Sequence, residues 1–214
     1  MENTNYYEKL GAEYPRFNSL QINEERQREL LKSQLRYSYG AISTLRDKAN
    51  ELKADTVHSE SRKAELLAET KTKLQATLAQ EFKPFEDRVT AAEQALHSAT
   101  HEARPKDTVE ELLQFMKGKE LRDSLAAMPL AKGVEFTLNT AQNGDPSVLR
   151  AVESQPITSN LIPEDVLQRA NTAYASKVAP QRVVELEMAK SDLDKATLIK
   201  SLTQIELDYL EQGL

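Results

Sequence analysis

Apolar residues in the first half of the chain have the spacing of a long amphipathic helix. From Asn18 to Lys83 the sequence contains no proline and a single glycine, Gly40. Apolar positions recur there at steps of three, four and seven residues, which is the a/d pattern of a coiled coil. This first seam consists of Leu31, Leu35, Ile42, Leu45, Ala49 and Leu52, with Ser38 completing the repeat. The pattern predicts a helix that buries one stripe against a partner helix.

A second seam follows after the phase of the repeat shifts at Thr56–Ser59. It comprises Val57, Ala64, Leu67, Leu74, Leu78, Phe85, Val89, Ala92, Leu96 and Ala99, with the polar Lys71 in register. Because no helix breaker lies at the shift, we interpret it as a stutter within one helix. At Pro84 either one helix kinks or two helices meet, and we favour a kinked helix that ends near Glu102. Region 20–103 is therefore predicted to be a coiled-coil rod, on the order of 120 Å long at 1.5 Å per residue.

The first 19 residues differ from this rod because they concentrate aromatic side chains around a glycine and a proline. Gly11 and Pro15 interrupt the segment, so no regular helix is expected past Pro15. We predict an N-terminal arm over residues 1–19. Its aromatic side chains either fold back onto the chain's own helices or dock on another subunit. They are Tyr6, Tyr7, Tyr14 and Phe17.

The second half of the chain has more frequent helix punctuation. Asp107 is a candidate N-cap for a short helix ending at Gly118, and another helical piece is expected before Pro129. Alternation over residues 134–138 permits a strand, but the neighbouring alanines favour a helix. Gly144 fits a helix C-terminus, and the two residues after it fit the start of the next helix. We predict a small helical subdomain over 107–180 and a long C-terminal helix over 181–214.

The fold class that follows is all-α, with a long N-terminal coiled-coil-type helix, a small cluster of short helices and a long C-terminal helix. Composition favours thin, elongated packing, because hydrophobic residues are 39% of the chain, charged residues are 29% and tryptophan is absent. A net charge of −6 gives no broad attraction to nucleic acid or anionic lipid. No apolar run is long enough for a membrane span, and the start does not resemble a secretory signal. We expect a location in the cytoplasm or in something assembled there.

Candidate chemistry is sparse. Cysteine is absent, which excludes thiolate metal sites and cysteine nucleophiles. His97 and His101 share a helix face at i, i+4, but the sequence supplies no evident third metal ligand, and a solvated face is the simpler interpretation. No phosphate-binding loop or nucleophile elbow occurs. We therefore expect no catalytic residue, no cofactor and no metal, and the protein is expected not to be an enzyme.

Nucleic-acid binding is the other function that the residue types permit. Basic residues with neighbouring aromatic rings can bind single strands through charge and stacking. Such a stretch occurs around residues 26–39 and contains Arg26, Arg28, Lys32, Arg36, Tyr37 and Tyr39. The glutamates between these residues offer i, i+4 ion pairs that account for the stretch as helix stabilisation. Nucleic-acid binding is therefore the weaker expectation.

Residues 141–180 carry the one resemblance to known proteins. Ala141, Asn143, Gly144 and Asp145 precede an apolar helix, and a later helix ends at Ala179-Pro180. This arrangement resembles a segment found behind coiled-coil regions in small uncharacterised proteins from late gene regions of tailed bacteriophages. The resemblance covers about a fifth of the chain and brings no catalytic residue with it. It implies a virion component or a capsid-assembly factor.

These observations predict an oligomeric helical structural or assembly protein that acts through helix–helix contacts with itself and with other structural proteins. The predicted partner-binding residues are those of the two seams and of the arm. An alternative is a protein-binding adaptor or regulator, or a weak nucleic-acid-binding module. The seam residues to which the prediction commits are Leu31, Leu35, Ile42, Leu45, Leu52, Val57, Leu67, Leu74, Leu78, Phe85, Val89 and Leu96, and the arm residues are Tyr6, Tyr7, Tyr14 and Phe17.

Overall fold

The computed structural model describes residues 5–20, 29–101, 107–154 and 161–213, and within these ranges every regular element is helical. A 3₁₀ turn at Pro15–Ser19 follows the first helix. The predicted all-α class is confirmed, since a long helix lies in the N-terminal region and another at the C-terminal end. The helices are α1 (Tyr6–Glu13), α2 (Glu29–Ala54), α3 (Glu60–Thr100), α4 (Thr108–Ala127), α5 (Leu130–Gln142), α6 (Ser147–Glu153), α7 (Glu164–Val178) and α8 (Pro180–Gln212).

The single rod predicted over 20–103 is corrected, because the helix ends where a stutter was expected. The break lies between Ala54 and Glu60. Asp55 accepts backbone hydrogen bonds from Val57 (2.6 Å) and His58 (3.3 Å), and its other carboxylate oxygen lies 2.6 Å from the His58 ring. Such local side-chain bonds compete with the helical hydrogen-bond ladder. They also hold the pKa of Asp55 down, to about 2.

At Pro84, by contrast, the helix continues. Pro84 lies inside the 41 residues of α3, so the single-helix alternative is confirmed over two abutting helices. Phe82 and Phe85 flank the proline and are both buried in a hydrophobic core. Burial of these two rings favours keeping the segment helical despite the amide donor that proline lacks. The predicted end near Glu102 lies beyond α3, whose last residue is Thr100.

The helices group into two compact units that do not coincide with the four consecutive segments predicted. Unit 1 comprises residues 1–91 and 188–214, and unit 2 comprises residues 92–187. Helices α3 and α8 each contribute residues to both units. The subdomain predicted at 107–180 therefore gains the end of α3 and the start of α8, while most of α8 belongs with the N-terminal helices.

Within unit 1, α3 and α8 are antiparallel and joined by polar contacts. Lys71 lies 2.6 Å from Asp208 and also pairs with Glu211. Further along, Gln75 donates to Gln204 at 2.9 Å. At the far end of the pairing, Arg88 donates to the buried Asp192 at 3.0 Å. Higher residue numbers in α3 meet lower numbers in α8, so the two helices are antiparallel. Because all of these partners belong to one chain, the C-terminal helix packs within its own chain.

Most residues of the two predicted seams form the core of unit 1, so the prediction that these residues bind a second chain is corrected, whereas Leu96 belongs to unit 2. Their residues contact α8 and the arm in one hydrophobic cluster, because α8 supplies the apolar face that an oligomeric partner was expected to supply. Leu74 packs against this cluster partly buried, and Val89 and Leu96 are also partly buried. Val57 is 87% exposed in the loop and lies on no seam. The buried apolar seam residues are Leu31, Leu35, Ile42, Leu45, Ala49, Leu52, Leu67, Leu78 and Phe85.

The arm also packs onto its own chain, which decides between the two alternatives and corrects its assignment to another subunit. Tyr14 and Phe17 are buried in the unit 1 core, and Tyr6 and Tyr7 pack against it partly buried. Glu13 fixes the arm to α2 by accepting hydrogen bonds from Tyr39 (2.8 Å) and Arg46 (2.9 Å). These bonds, that from Tyr39 foremost, lower the pKa of Glu13.

Unit 2 confirms most of the predicted punctuation in its half of the chain. The segment with an alternating pattern is helical, as part of α5. Gly144 follows α5 with a φ of 81°, donates to Ala141 (3.0 Å), and is followed by Asp145 donating to Thr140 (3.0 Å). This is a Schellman ending, which favours glycine because its φ is positive. The predicted end at Gly118 is wrong, since α4 continues through this residue to Ala127.

Candidate interaction surface

Large apolar side chains are exposed along the first half of α4. Val109 is 67% exposed, Leu112 57%, Leu113 53% and Met116 52%. Spacings of three, four and seven residues place these side chains on one face of the helix. We call this set of four residues the α4 stripe. Exposed apolar side chains also occur along α8, at Val184, Met188, Leu198, Ile205 and Tyr209, but they are spread over more than twenty residues. The four of α4 fall within eight residues, so the α4 stripe is the candidate functional surface.

The second half of α4 buries the opposite face. Leu125 lies in a hydrophobic core with residues of α6, and Leu121 packs against that core. Arg122 donates to the Ala151 carbonyl (3.1 Å) and to the Ser154 hydroxyl (2.9 Å). At about 100° of rotation per residue, Leu121 and Leu125 lie roughly 150° around the helix from the α4 stripe. The contact between α4 and α6 therefore leaves the stripe uncovered.

Local interactions are sufficient to start α4 without a tertiary cover for the stripe. Asp107 is the N-cap, and its carboxylate accepts a hydrogen bond from the Glu110 amide at 2.8 Å. Glu110 and Glu111 lie in the first turn, where negative charge favours the helix dipole. The predicted cap at Asp107 is confirmed. It stabilises the first turn of α4 and so keeps the residues of the α4 stripe helical.

Charged and aromatic residues border the α4 stripe. Lys117 and Glu110 are seven positions apart and share one edge, whereas Lys119 lies on the other edge. Phe115 is exposed beyond that second edge, and the Arg122 guanidinium lies 5.9 Å from the centre of its ring. An apolar centre with a charged border is the arrangement of a protein-binding surface.

A cavity of about 350 Å³ in unit 2 contains the paired histidines. His97 and His101 stack with 3.7 Å between ring centroids, and the His101 Nδ1 donates to the His97 carbonyl at 3.0 Å. Arg150 and Tyr174 line the same cavity. In the ranges that the structure describes, no group of three or more histidine and carboxylate side chains is arranged to hold a metal ion. The two histidines therefore lie together at the cavity wall, and this geometry alone does not indicate a reaction.

The described part of the basic and aromatic stretch around residues 26–39 lies in α2 and is engaged in local contacts. Lys32 pairs with Glu29 at 2.9 Å. The Arg36 guanidinium lies 5.2 Å from the centre of the Tyr37 ring. The Tyr39 ring lies 5.8 Å from that of Tyr6. Arg26 and Arg28, the other two basic residues of the predicted stretch, lie outside the described residues. Among those described, the aromatic faces that would stack on bases already have intramolecular partners.

Sequence reasoning recognised the α4 stripe as a helix face but did not identify it as a surface. Because α4 was expected to end at Gly118, the apolar residues before and after this glycine were assigned to two separate helices. If α4 is extended through Gly118, the stripe and the pair Leu121 and Leu125 fall on opposite sides of one helix. One helix cannot bury both sides against a single neighbour. That conflict was legible in the sequence.

Comparison with known proteins adds no relative, since no family model, no curated protein and no solved structure matches the chain. The search for membrane spans is also negative: among the described helices, none combines the length and apolarity that crossing a bilayer requires.

Proposed function

We propose that this chain is a helical structural or assembly protein that works by binding protein through the α4 stripe. The observation that supports the proposal is the exposure of four large apolar side chains on one face of α4. Full burial of such a side chain is worth about 1.5–3 kcal/mol, so a partner helix that covers the stripe gains a substantial driving force. The proposal is for a binding role and not for catalysis.

The more specific assignment is to a virion component or a capsid-assembly factor of a tailed bacteriophage. It is supported by the resemblance of residues 141–180 to a segment of phage late-region proteins. A helical factor with a short apolar contact surface is suited to reversible assembly, because small interfaces form and dissociate readily. Under this proposal the protein works in the host cytoplasm or within the particle.

Site-specific photocrosslinking in the cells that express the chain tests the binding role. A photoreactive phenylalanine analogue at Leu113 is expected to capture protein when irradiated. The same analogue at Gln168, an exposed position on α7, serves as the matched control and is expected to capture little. Adding Leu112→Asp to the Leu113 variant should abolish the crosslink, because a charge on the stripe opposes its burial. No crosslink at Leu113, or equal crosslinking at both positions, would overturn the proposal.

A further inference from the structure

We propose that the protein covering the α4 stripe is a second copy of this chain, with the two α4 helices antiparallel about a two-fold axis between Leu112 and Leu113. The inference rests on the proposed function, because it names the partner of the same surface. It places the contact on α4 in unit 2 and not on the seams of α2 and α3, which the chain covers itself.

The residue order of the stripe is self-complementary in this arrangement. With the axis between Leu112 and Leu113, Leu112 of each copy lies level with Leu113 of the other. Val109 then lies level with Met116 of the second copy, so the smallest side chain of the stripe meets the longest. Each layer has similar total volume, which is the condition for close packing without a cavity or a clash. A two-fold contact of this kind uses the same patch on both molecules.

Charge at the edge of the stripe favours the antiparallel direction. Glu110 and Lys117 share one edge, and two-fold symmetry places the same edges of the two helices side by side. At 1.5 Å per residue, Glu110 lies within about 3 Å along the axis of Lys117 of the second copy. The contact therefore contains two opposite-charge pairs related by symmetry.

A parallel arrangement is disfavoured by the same side chains. Parallel two-fold symmetry brings opposite edges together, so Lys117 of one copy faces Lys119 of the other. That produces two like-charge contacts instead of two attractive ones. Parallel α4 helices also align their dipoles unfavourably, whereas antiparallel helices bring the acidic first turn of one towards the second half of the other.

The extent of the stripe determines how strong the contact is. Four residues over about two turns offer less area than the roughly 800 Å² per partner of a standard interface. We therefore expect a weak dimer that forms with rising concentration, and not a permanent one. A modest affinity makes edge charges a measurable part of the binding free energy.

Sedimentation equilibrium of the full-length chain, from low to high micromolar concentration, tests the inference. The wild type is expected to pass from monomer to dimer. Leu113→Asp should remain monomeric, and Gln168→Asp should dimerise like the wild type. Circular dichroism of the variants checks that both remain helical. A wild-type chain that stays monomeric throughout, or dimerisation that survives Leu113→Asp, would contradict the inference.

A charge-swap series tests the orientation. Glu110→Lys and Lys117→Glu each create two like-charge contacts and should weaken the dimer about three- to tenfold. Mixing the two single variants should restore the wild-type affinity, because the heterodimer contains only opposite charges at this edge. The double variant should also recover. A mixture no tighter than either variant alone would overturn the antiparallel contact.

The two proposals fail in different ways. If the purified chain is monomeric but Leu113 still crosslinks to a different protein, the second copy is the wrong partner and the binding role stands. If sedimentation detects no dimer and crosslinking detects no partner, both proposals fail.

Discussion

Unit 1 and the first half of α4 carry similar apolar stripes, but the chain covers only one of them. In unit 1 the stripes of α2 and α3 meet α8 and the arm and form a continuous core. In α4 the stripe at 109–116 remains exposed while the second half of the helix is buried on its other side. An amphipathic stripe therefore predicts that one face of the helix is buried. The rest of the chain determines whether the surface that buries it belongs to the same molecule or to another.

A matched pair of leucine truncations should separate the two stripes most strongly. Leu45→Ala, in the unit 1 core, is expected to lower the free energy of unfolding by about 2–5 kcal/mol, because it leaves a cavity. Leu112→Ala, on the exposed stripe, should change it by less than about 0.5 kcal/mol. Urea denaturation of the two variants below the dimerisation range measures both values. A loss at Leu112 equal to that at Leu45 would mean that the chain covers the α4 stripe itself.

The polar pairing of α3 with α8 should contribute a smaller but measurable stability to the covered stripe. Lys71→Met leaves Asp208 and Glu211 without their cation and should cost about 1–2 kcal/mol at pH 7. Lys83→Met removes a mostly exposed lysine 3.6 Å from Asp87 in the same helix and should cost less than about 0.5 kcal/mol. Denaturation curves of both variants provide the comparison.

This cost should depend on pH in a direction set by the carboxylates. Hydrogen bonding to Lys71 lowers the pKa of Asp208. Burial lowers the pKa of Lys71, but its hydrogen bonds to Asp208 and Glu211 outweigh that effect and leave the pKa raised. The stabilisation from Asp208 is complete above its unfolded pKa and is lost as the pH falls through the lowered value. The difference between Lys71→Met and the wild type should therefore shrink in acid, and a difference that persists there would contradict the pairing.

Replacing the two mid-helix glycines with alanine should stabilise the two regions to different extents. Gly40 is exposed in α2 with no atom within 4 Å of an added Cβ, so Gly40→Ala should stabilise the fold by about 0.5–1 kcal/mol. At Gly118 an added Cβ would lie 3.1 Å from Arg122 and displace a side chain that bonds to α6. Gly118→Ala should therefore gain less than Gly40→Ala. Thermal melting of the two variants tests the order, and a greater gain at Gly118 would contradict it.

The smallest effect is expected at the break between the two covered seams. Asp55 has a pKa lowered to about 2 by hydrogen bonds from the Val57 amide and the His58 ring. Its contribution to stability is fully present above the ordinary carboxyl pKa of about 4 and is lost progressively as the pH falls through the lowered pKa of about 2. Asp55→Ala should lower the melting temperature slightly at pH 7 and by less at pH 2, where about half of the Asp55 carboxyl groups are protonated. An equal reduction at both values would assign the effect to helix geometry and not to charge.

Much of the fold was predictable because burial follows periodicity. Leu31, Leu45 and Phe85 were placed on buried faces by spacing alone, and they are buried. The surface that covers each stripe was not predictable from spacing, because apolar contacts are non-directional and any complementary apolar surface can bury the stripe. Lys71 carried more information than the leucines around it, since a lysine in an apolar register requires a carboxylate partner.

The errors arose where local chemistry outweighed the repeat. Asp55 ended a helix that the apolar spacing permitted to continue, because its carboxylate binds nearby amides. At Gly118 the reverse occurred: one glycine did not end a helix whose second half is buried against α6. The candidate surface was missed through this second error, since its exposure depends on the length of α4.

The division of unit 1 into two stretches of sequence has a consequence for synthesis. Residues 92–187, which form unit 2, emerge from the ribosome before the part of α8 that completes the unit 1 core. All residues of unit 2 are therefore synthesised before unit 1 is complete. The apolar faces of α2 and α3 lack α8 while about a hundred residues are translated, which takes roughly 5–20 s at ordinary translation rates. During that interval the nascent chain exposes the very seams that the finished protein conceals. The order of translation therefore makes the seams of α2 and α3 the surface of the nascent chain most prone to non-specific apolar contacts, although the same seams are buried in the folded protein.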